Sequence, residues 1–419
     1  MSTRRRLLTV SLATAAVALA SCSDDEPTFA PTIVPSTTIV PATTEAPATT
    51  QAPTTVAPTT TISLEQIAAT YAEPGPHPVG VTTYTLAKGP KVEVWYPAVA
   101  GTTGEVSYDV RDFTPEGIRA ILTADVPATF SFAGARDAEA DATAGPFPVV
   151  LFSHGFTGIR LQSSFLTSHL ASWGFVVVAP DHPSRDLPNV LSATASGDRA
   201  DSVDDLLQSL DLVTTEHATA GSILEGVVDT EQVVAIGHSA GGGTVVGAAL
   251  DDRIDGYVSM ASGVLLGDPT AVTTTAPAGS LPDKPSFFMA GSVDAVVPAD
   301  ERTVPSFEAV PTPSLLWVID GVGHNGFDDF CTFGNGTGII GVAEASGLGG
   351  LLDAQPQLRT LGEDGCIPPA VPVADTFPMI RHGVTAWTRA LFGIDAEPIG
   401  IGADYADAFA QPVRIDERP

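Results

Sequence analysis

The sequence predicts an α/β domain with a doubly wound, mainly parallel sheet. Short apolar runs rich in β-branched residues alternate with longer segments of helical spacing, which is the pattern of repeated βαβ units. In the stretch VVAIGHSAGGGTVVGAAL a strand-like segment passes directly into a helix-like one. The chain has 419 residues and 44% hydrophobic content, enough to bury a sizeable core.

The elements follow from the apolar runs and the helical spacing, in chain order. Strands are predicted at Lys91–Tyr96, Phe147–Ser153, Phe175–Ala179, Gln232–Gly237, Tyr257–Ala261, Ser286–Gly291 and Leu315–Asp320. Helices are predicted between them at Gln162–Trp173, Arg199–His217, Gly242–Leu250 and Ala299–Glu308, with a final helix at Met379–Phe392.

One long segment interrupts this alternation. Residues 99–144 lie between two predicted strands and are too long for a tight connection, and they contain a helical pattern around Pro115–Leu122. Long loops at the carboxyl edge of a sheet are where binding surfaces arise. We expect residues 99–144 to form an inserted lid, with surface decoration as the alternative.

The N-terminus predicts export and lipid attachment. Residues 1–21 combine Arg4, Arg5 and Arg6 with an apolar run too short to span a bilayer. The run ends in LASC, which resembles the bacterial lipoprotein signal, so Cys22 is the expected lipidation site. The alternative is an ordinary secretory peptide cut near the same place. The expected location is the outer face of the cell membrane, or, in the alternative, fully outside the cell.

A low-complexity tether separates this signal from the folded region. Residues 22–62 are rich in proline and threonine and have no core-forming periodicity. Prolines favour extended conformations, so this segment would hold a domain away from the membrane. The remaining residues, 63–419, are predicted to form a single catalytic domain.

Two further cysteines are consistent with export. Cys331 and Cys366 remain as an even pair if Cys22 carries lipid, and a disulfide is the default in an oxidising compartment. The bond would close the glycine-rich segment 331–366 and stabilise the fold by on the order of 3 to 4 kcal/mol. A free, reactive thiol is the alternative.

Charge and residue spacing exclude several classes of partner. The formal net charge is −30, so most of the surface would repel nucleic acid. The acids are dispersed and the histidines lack a compact ligand spacing, so no metal site is predicted. No nucleotide-binding loop is present either, and we expect a monomer without a cofactor.

The motif GHSAG, residues 237–241, predicts a nucleophile. It fits GxSxG between a predicted strand and a predicted helix, which is the context of a nucleophile elbow. A serine on so sharp a turn has strained backbone angles and crowded neighbours, so small residues must flank it. Ser239 is therefore the predicted nucleophile. The alternative is a tight strand-to-helix turn without chemistry.

A serine hydroxyl needs a base, and the base an orienting acid. Of the eight histidines, only His324 and His382 follow Ser239, and His324 lies in a glycine-flanked loop after a predicted strand. We therefore predict His324 as the base and His382 as a packing residue. Asp294 follows a predicted strand in GSVDAVVP and is the predicted acid, with Asp320 as a weaker rival at a strand terminus.

An oxyanion requires backbone donors. The residue after the serine, Ala240, presents its N–H at the helix start. The strand ending in LFSHGFTG places the N–H of Phe156 as its expected companion. His154 is expected to brace this loop, and His238 to pack beside the nucleophile.

The motifs SHGFTG, GHSAGG, GSVDAVVP and GVGHNGF, with VEVWYPA upstream, resemble one family of enzymes. They are similar to the α/β-hydrolases grouped with platelet-activating-factor acetylhydrolases, dienelactone hydrolases and bacterial cutinase-like polyester hydrolases. The resemblance implies the α/β-hydrolase fold and a serine esterase acting through an acyl-enzyme. It departs from the plasma acetylhydrolases because GYVSMASGV has no acid, and from dienelactone hydrolases because those use a cysteine nucleophile.

The leading hypothesis is a lipid-anchored carboxylic ester hydrolase that acts on short-acyl or small lipid esters. Hydrolysis of a polyester or cutin-like polymer is the alternative within this class. A noncatalytic surface lipoprotein that binds a ligand on the same fold is an alternative of another class. A peptidase or an acyltransferase could use the same residues.

Overall fold

In the part of the chain that the structure describes, ten strands form one sheet, whose six central strands are parallel and are joined on each side by antiparallel pairing. The structure, a computed structural model, describes residues 62–264 and 281–419. The predicted signal peptide, Cys22 and the tether up to Thr61 lie outside the described residues. The strands are β1 Val79–Thr85, β2 Lys91–Pro97, β3 Glu105–Asp109, β4 Thr129–Ala133, β5 Ala135–Arg136, β6 Phe147–Ser153, β7 Val176–Pro180, β8 Val228–His238, β9 Gly256–Met260, β10 Ser286–Gly291, β11 Ser314–Ile319 and β12 Val413–Arg418.

The strand order is β12-β11-β10-β9-β8-β6-β7-β2-β1-β5, and β3 pairs with β4 in a separate hairpin. The six strands from β11 to β7 are mutually parallel, whereas β2 and β12 join that block antiparallel. Each parallel step requires a crossover, and helices lie in the crossovers from β6 to β7, β7 to β8, β8 to β9 and β10 to β11. The predicted doubly wound, mainly parallel sheet is confirmed.

The helices cover both faces of the sheet. They are α1 Leu64–Ile67, α2 Glu116–Arg119, α3 Ser164–Ser172, α4 Leu187–Leu191, α5 Arg199–Ala218, α6 Ala240–Ala248, α7 Thr303–Ala309, α8 Gly338–Ala345, α9 Gly349–Asp353, α10 Pro356–Glu363 and α11 Val373–Leu391. Short 3₁₀ turns occupy Val110–Phe113, His324–Phe327, Phe330–Thr332 and Ala403–Ala408. Within the two ranges that the structure describes, no helix is long and apolar enough to cross a bilayer.

Alternate residues of the central strands belong to two different cores. In β6, Val150 and Phe152 pack in one cluster, and Val149 and Leu151 in the other. The first cluster includes residues of α3 and α11, and the second includes residues of α5 and α6. Because both faces are covered, every residue of β6 is buried. This burial explains why the strand appears in the sequence as an unbroken apolar run.

The seven predicted strands and five predicted helices all exist with ends displaced by up to four residues, except that the final helix begins six residues before the predicted Met379. The predicted start of the helix after the nucleophile, Gly242, was wrong, since α6 begins at Ala240. Three consecutive glycines disfavour a helix by propensity, yet tertiary packing forms one there. Strands β1, β3, β4, β5 and β12 were not predicted from the sequence.

The segment closed by the two cysteines is more regular than its glycine content suggests. Cys331 and Cys366 form a disulfide, as expected. The residues between them form α8, α9 and α10, although the sequence analysis read this segment as glycine-rich loop. In the insert, residues 99–144, the hairpin β3–β4 and the short helix α2 form, and α2 coincides with the helical pattern expected there.

His382 is a packing residue inside α11, as expected from its spacing. Its Nδ1 accepts the N–H of Tyr71, and its Nε2–H donates to the carbonyl of Gly400, each at 3.2 Å. Burial lowers the pKa of His382 to about 4. The ring is therefore neutral at neutral pH and ties the start of the domain to its end.

Candidate active site

Ser239 lies on a strained turn between β8 and α6. Its backbone has φ 56° and ψ −123°, a region that residues with a Cβ adopt rarely. Strain of this kind persists where the surrounding structure enforces it, and it is concentrated at functional sites. The turn expected from GHSAG is therefore present, and Ser239 stands at its tip.

The glycines around the serine are required by close packing. A Cβ on Gly237 would lie 2.3 Å from the carbonyl oxygen of Gly241. A Cβ on Gly241 would lie 1.9 Å from the backbone oxygen of Ser153, at the end of β6. No side chain fits at either distance, so this tight turn cannot form with larger residues.

The structure brings together the three side chains that the sequence analysis selected. His324 Nε2 lies 2.9 Å from Ser239 Oγ, and His324 Nδ1 lies 2.9 Å from Asp294 Oδ2. All three side chains are largely buried. The geometry is that of a hydroxyl, an imidazole and a carboxylate joined by two hydrogen bonds.

Asp294 and His324 reach this position from the ends of adjacent parallel strands. Asp294 follows β10, and His324 begins the 3₁₀ turn after β11. The second carboxylate oxygen of Asp294 accepts the N–H groups of Val296 and Val297 at 2.9 and 2.6 Å, which fixes its orientation. The rival acid Asp320 instead accepts a hydrogen bond from Ser292 Oγ.

Two backbone N–H groups border the serine. Ala240 is the first residue of α6, where an N–H has no acceptor within its own helix. Phe156 lies in the loop after β6, and Gly155 beside it would place a Cβ 3.2 Å from the Cβ of Ser239. The loop therefore packs directly against the nucleophile turn. Neither N–H has a hydrogen-bond partner within the described residues.

Gln162 and His238 connect this loop to the histidine, and the sequence analysis missed the role of Gln162. Gln162 Oε1 accepts the Gly155 N–H at 3.0 Å, and its amide donates to His238 Nδ1 at 2.6 Å. His238 Nε2–H then donates to the carbonyl of His324 at 3.0 Å. Burial, followed by the nearby His324, lowers the pKa of His238 well below its usual range. The His238 ring is therefore neutral, as these two hydrogen bonds require, and it links Gln162 to His324.

Asp328 contacts Gln162. Its Oδ2 accepts the second N–H of the Gln162 amide at 3.2 Å, and its Oδ1 accepts the N–H of Phe330. Burial raises the pKa of Asp328 well above its usual range. Asp328 therefore fixes the orientation of Gln162 from the side opposite the loop.

Arg185 holds the loop after β6 from below. Its guanidinium donates twice to the carbonyl of His154, once to Ser153 Oγ and once to Thr244 Oγ1 of α6. Burial lowers the pKa of Arg185 to about 9, so the group stays protonated at neutral pH. His154 braces the same loop, as expected, since its Nε2 accepts the N–H of His182. A buried cation thus connects the end of β6 to the nucleophile helix.

A second Ser-His-Asp array lies beneath the first. His182 Nε2 is 2.9 Å from Ser153 Oγ, and His182 Nδ1 is 3.0 Å from Asp205 Oδ2. Ser153 and His182 are fully buried, and Ser153 Oγ already accepts from Arg185. No substrate can reach this hydroxyl, so the array braces the loop and does not compete with Ser239.

The disulfide-closed segment clamps the histidine loop through Asp364. One carboxylate oxygen accepts the His324 N–H and the other accepts the Ala295 N–H, both at 2.7 Å. Its backbone oxygen accepts the N–H of Asn325 at 2.9 Å. A Cβ on Gly323 would lie 2.6 Å from Oδ1 of Asp364, so the approach is close. Asp364 therefore joins the loop of the base to the loop of the acid. This role of Asp364 was not predicted from the sequence.

The fold is shared with known proteins. Residues 138–280 match the sequence model of the Chlorophyllase family, a span that contains Ser239 but not Asp294 or His324. The solved ferulic acid esterase from Streptomyces cinnamoneus is similar with a TM-score of 0.51 and 18% sequence identity. The match covers 76% of this chain and 92% of that chain. Among curated proteins, no sequence matches this chain.

The chain is therefore an α/β-hydrolase by fold. The expectation drawn from SHGFTG, GHSAGG, GSVDAVVP and GVGHNGF is confirmed at this level. The predicted residues Ser239, Asp294 and His324 occupy one site at the carboxyl edge of the sheet.

Proposed function

We propose that the protein is a serine carboxylic ester hydrolase that acts through an acyl-enzyme. The observation that carries this proposal is the chain of hydrogen bonds from Ser239 Oγ through His324 to Asp294. A buried serine hydroxyl on a strained elbow, 2.9 Å from an imidazole, is poised for nucleophilic attack. The structural relative is itself named an esterase, which supports the same chemistry.

In the proposed first half-reaction, Ser239 Oγ attacks the ester carbonyl carbon while His324 Nε2 takes the hydroxyl proton. Asp294 keeps Nδ1 protonated and stabilises the imidazolium that forms. The carbonyl oxygen becomes an oxyanion, and the N–H groups of Phe156 and Ala240 are the proposed donors to it. The alcohol leaves with the proton from His324.

In the second half-reaction, water attacks the acyl-enzyme. His324 takes a proton from the water, and the new tetrahedral intermediate collapses by breaking its bond to Ser239 Oγ. The carboxylic acid leaves and the serine regains its proton. Each backbone donor to the oxyanion contributes about 3 to 4 kcal/mol to the transition state.

The test is hydrolysis of p-nitrophenyl acetate together with labelling by a fluorophosphonate probe. The wild type should hydrolyse the ester, and mass spectrometry should locate the label on Ser239 and not on Ser153. Ser239→Ala should lose both activities. Ser196→Ala, in an exposed loop, is the matched control and should retain both. Activity or labelling that survives Ser239→Ala would exclude this serine as nucleophile.

We also propose that the enzyme is a lipoprotein held at the outer face of the cell membrane through Cys22. The support is the LASC signal and the proline- and threonine-rich tether that follows it. Mass spectrometry of the mature N-terminal peptide should find acylated Cys22, and Cys22→Ala should move the protein from the membrane fraction to the soluble one. An unmodified N-terminal peptide would indicate the alternative, full secretion.

A further inference from the structure

A large apolar cavity lies beside the nucleophile. Its volume is about 430 Å³, within the range of about 300 to 1,000 Å³ that holds small-molecule ligands. Five residues line both this cavity and the small space in front of Ser239, and they are Phe156, Thr157, Ile339, Leu361 and Gly362. A group bound at the serine can therefore extend into the cavity.

Four separate segments build the walls. The loop after β6 contributes two residues, the insert contributes residues between Val110 and Leu122, helix α4 contributes residues between Leu187 and Leu191, and the disulfide-closed segment contributes residues from α8 through α10. The expected lid and the glycine-rich segment thus both line the same cavity. The disulfide-closed segment contributes no strand to the sheet and the insert contributes only the two-residue edge strand β5, whereas both segments line the cavity.

The lining carries no charge. Its residues are aliphatic or small, apart from Phe156, two threonines and two glutamines, and none is Asp, Glu, Lys or Arg. This contrasts with a chain that has 49 acidic residues and a net charge of −30. Uncharged walls favour an uncharged apolar occupant, because burying a charge there would leave it unpaired. Phe156 and Leu351, 45% and 49% exposed, extend the apolar surface to solvent.

We propose that this cavity binds the aliphatic chain of the substrate, so that the enzyme prefers esters with one long alkyl chain over short-acyl esters. The inference rests on the proposed ester hydrolysis for its catalytic consequence. Of the two substrates expected from the sequence, short-acyl esters and small lipid esters, it favours the lipid esters. An alkyl chain in the acyl group and an alkyl chain in the alcohol would make the same apolar contacts with these walls. The experiment therefore tests esters of both kinds.

The catalytic test compares p-nitrophenyl esters from acetate to decanoate with alkyl acetates from methyl to decyl. In one of the two series kcat/KM should rise by up to about fourfold for each methylene that the cavity buries. The series that rises identifies the side of the ester that carries the chain. If kcat/KM stays flat or falls with length in both series, the inference is overturned.

Two substitutions fill the cavity from two different helices. Ala343→Phe on α8 and Val190→Phe on α4 should each lower the ratio of kcat/KM for the longest ester to kcat/KM for the shortest ester by at least about tenfold. Hydrolysis of the shortest ester should stay within about threefold of wild type. Ala345→Phe, on the same helix α8 but outside the lining, is the matched control and should leave the profile unchanged. An unchanged profile in both filling variants would contradict the inference.

Direct binding separates this inference from the proposed function. Decanol, measured by calorimetry, should bind the wild type and Ser239→Ala equally, with a negative heat-capacity change, and should bind Ala343→Phe at least about tenfold more weakly. If decanol binds in this way but no ester is hydrolysed, the ester-hydrolase proposal fails and the cavity assignment stands. If esters are hydrolysed without decanol binding and without a gain with chain length, the cavity assignment fails alone.

Discussion

Replacing Asp364 with alanine removes two acceptors that hold both loops of the site. The N–H groups of His324 and Ala295 each lose a hydrogen bond of 2.7 Å to a carboxylate. A hydrogen bond to a charged group contributes about 1.5 to 3 kcal/mol. Water can replace part of this at a half-buried position, so we expect a loss of about 2 to 3 kcal/mol of folding free energy.

The same change should slow the chemistry. The backbone oxygen of Asp364 still accepts from Asn325, so the histidine loop shifts but remains attached. A displacement of about 1 Å at a reacting group can cost about 100-fold in rate. We therefore expect kcat to fall by about 10- to 100-fold while KM changes by less than about threefold.

Kinetics with p-nitrophenyl acetate and urea unfolding measure the two effects. Asp364→Asn keeps one carbonyl acceptor but turns an N–H₂ group toward the other loop, so it should recover about half of each loss. Glu363→Ala, which removes the adjacent carboxylate paired with Arg359, is the control and should be neutral in kcat. If Asp364→Ala destabilises the fold but keeps kcat within twofold, Asp364 does not position His324.

Three further changes test the packing that supports the site. Gly241→Ala should lower the free energy of unfolding by about 3 kcal/mol and abolish activity, because its Cβ would lie 1.9 Å from a backbone oxygen of β6. The control is Gly117→Ala, in open space on α2, which should be neutral in urea unfolding and in activity. The buried His382 has a pKa of about 4, below its unfolded value of about 6.5, so its stabilising contribution is fully present above pH 6.5 and is lost as the pH falls toward 4, by up to about 3 kcal/mol. His382→Gln should flatten the decline in unfolding free energy over this window, and parallel curves for the two proteins would contradict this. Replacing both Cys331 and Cys366 with serine should lower the free energy of unfolding by on the order of 3 to 4 kcal/mol. It should also lower kcat, because the disulfide closes the segment that contacts the histidine loop. An unchanged urea midpoint and an unchanged kcat would show that the position of this loop does not depend on the disulfide.

The sequence by itself determined those elements whose burial is evident from the apolar character of their own residues. Strands buried on both faces must be apolar throughout, so β6, β10 and β11 could be located within about two residues. The elbow at Ser239 was also local, because a turn with a positive φ and no room for a Cβ on either side demands glycine at both. Chain order after Ser239 then left two histidines, and their flanking residues separated a loop from a helix.

Only the tertiary structure decided which distant groups meet. Asp364 lies 40 residues after His324, and Gln162 lies 76 residues before His238. Nothing in the residues around Asp364 or Gln162 specifies these partners, because a side-chain hydrogen bond depends on packing and not on periodicity. The same holds for the cavity, whose walls come from four segments that are separated in the sequence. The nucleophile turn was therefore readable from the chain, whereas the parts that hold the histidine and admit the substrate exist only once the chain has folded.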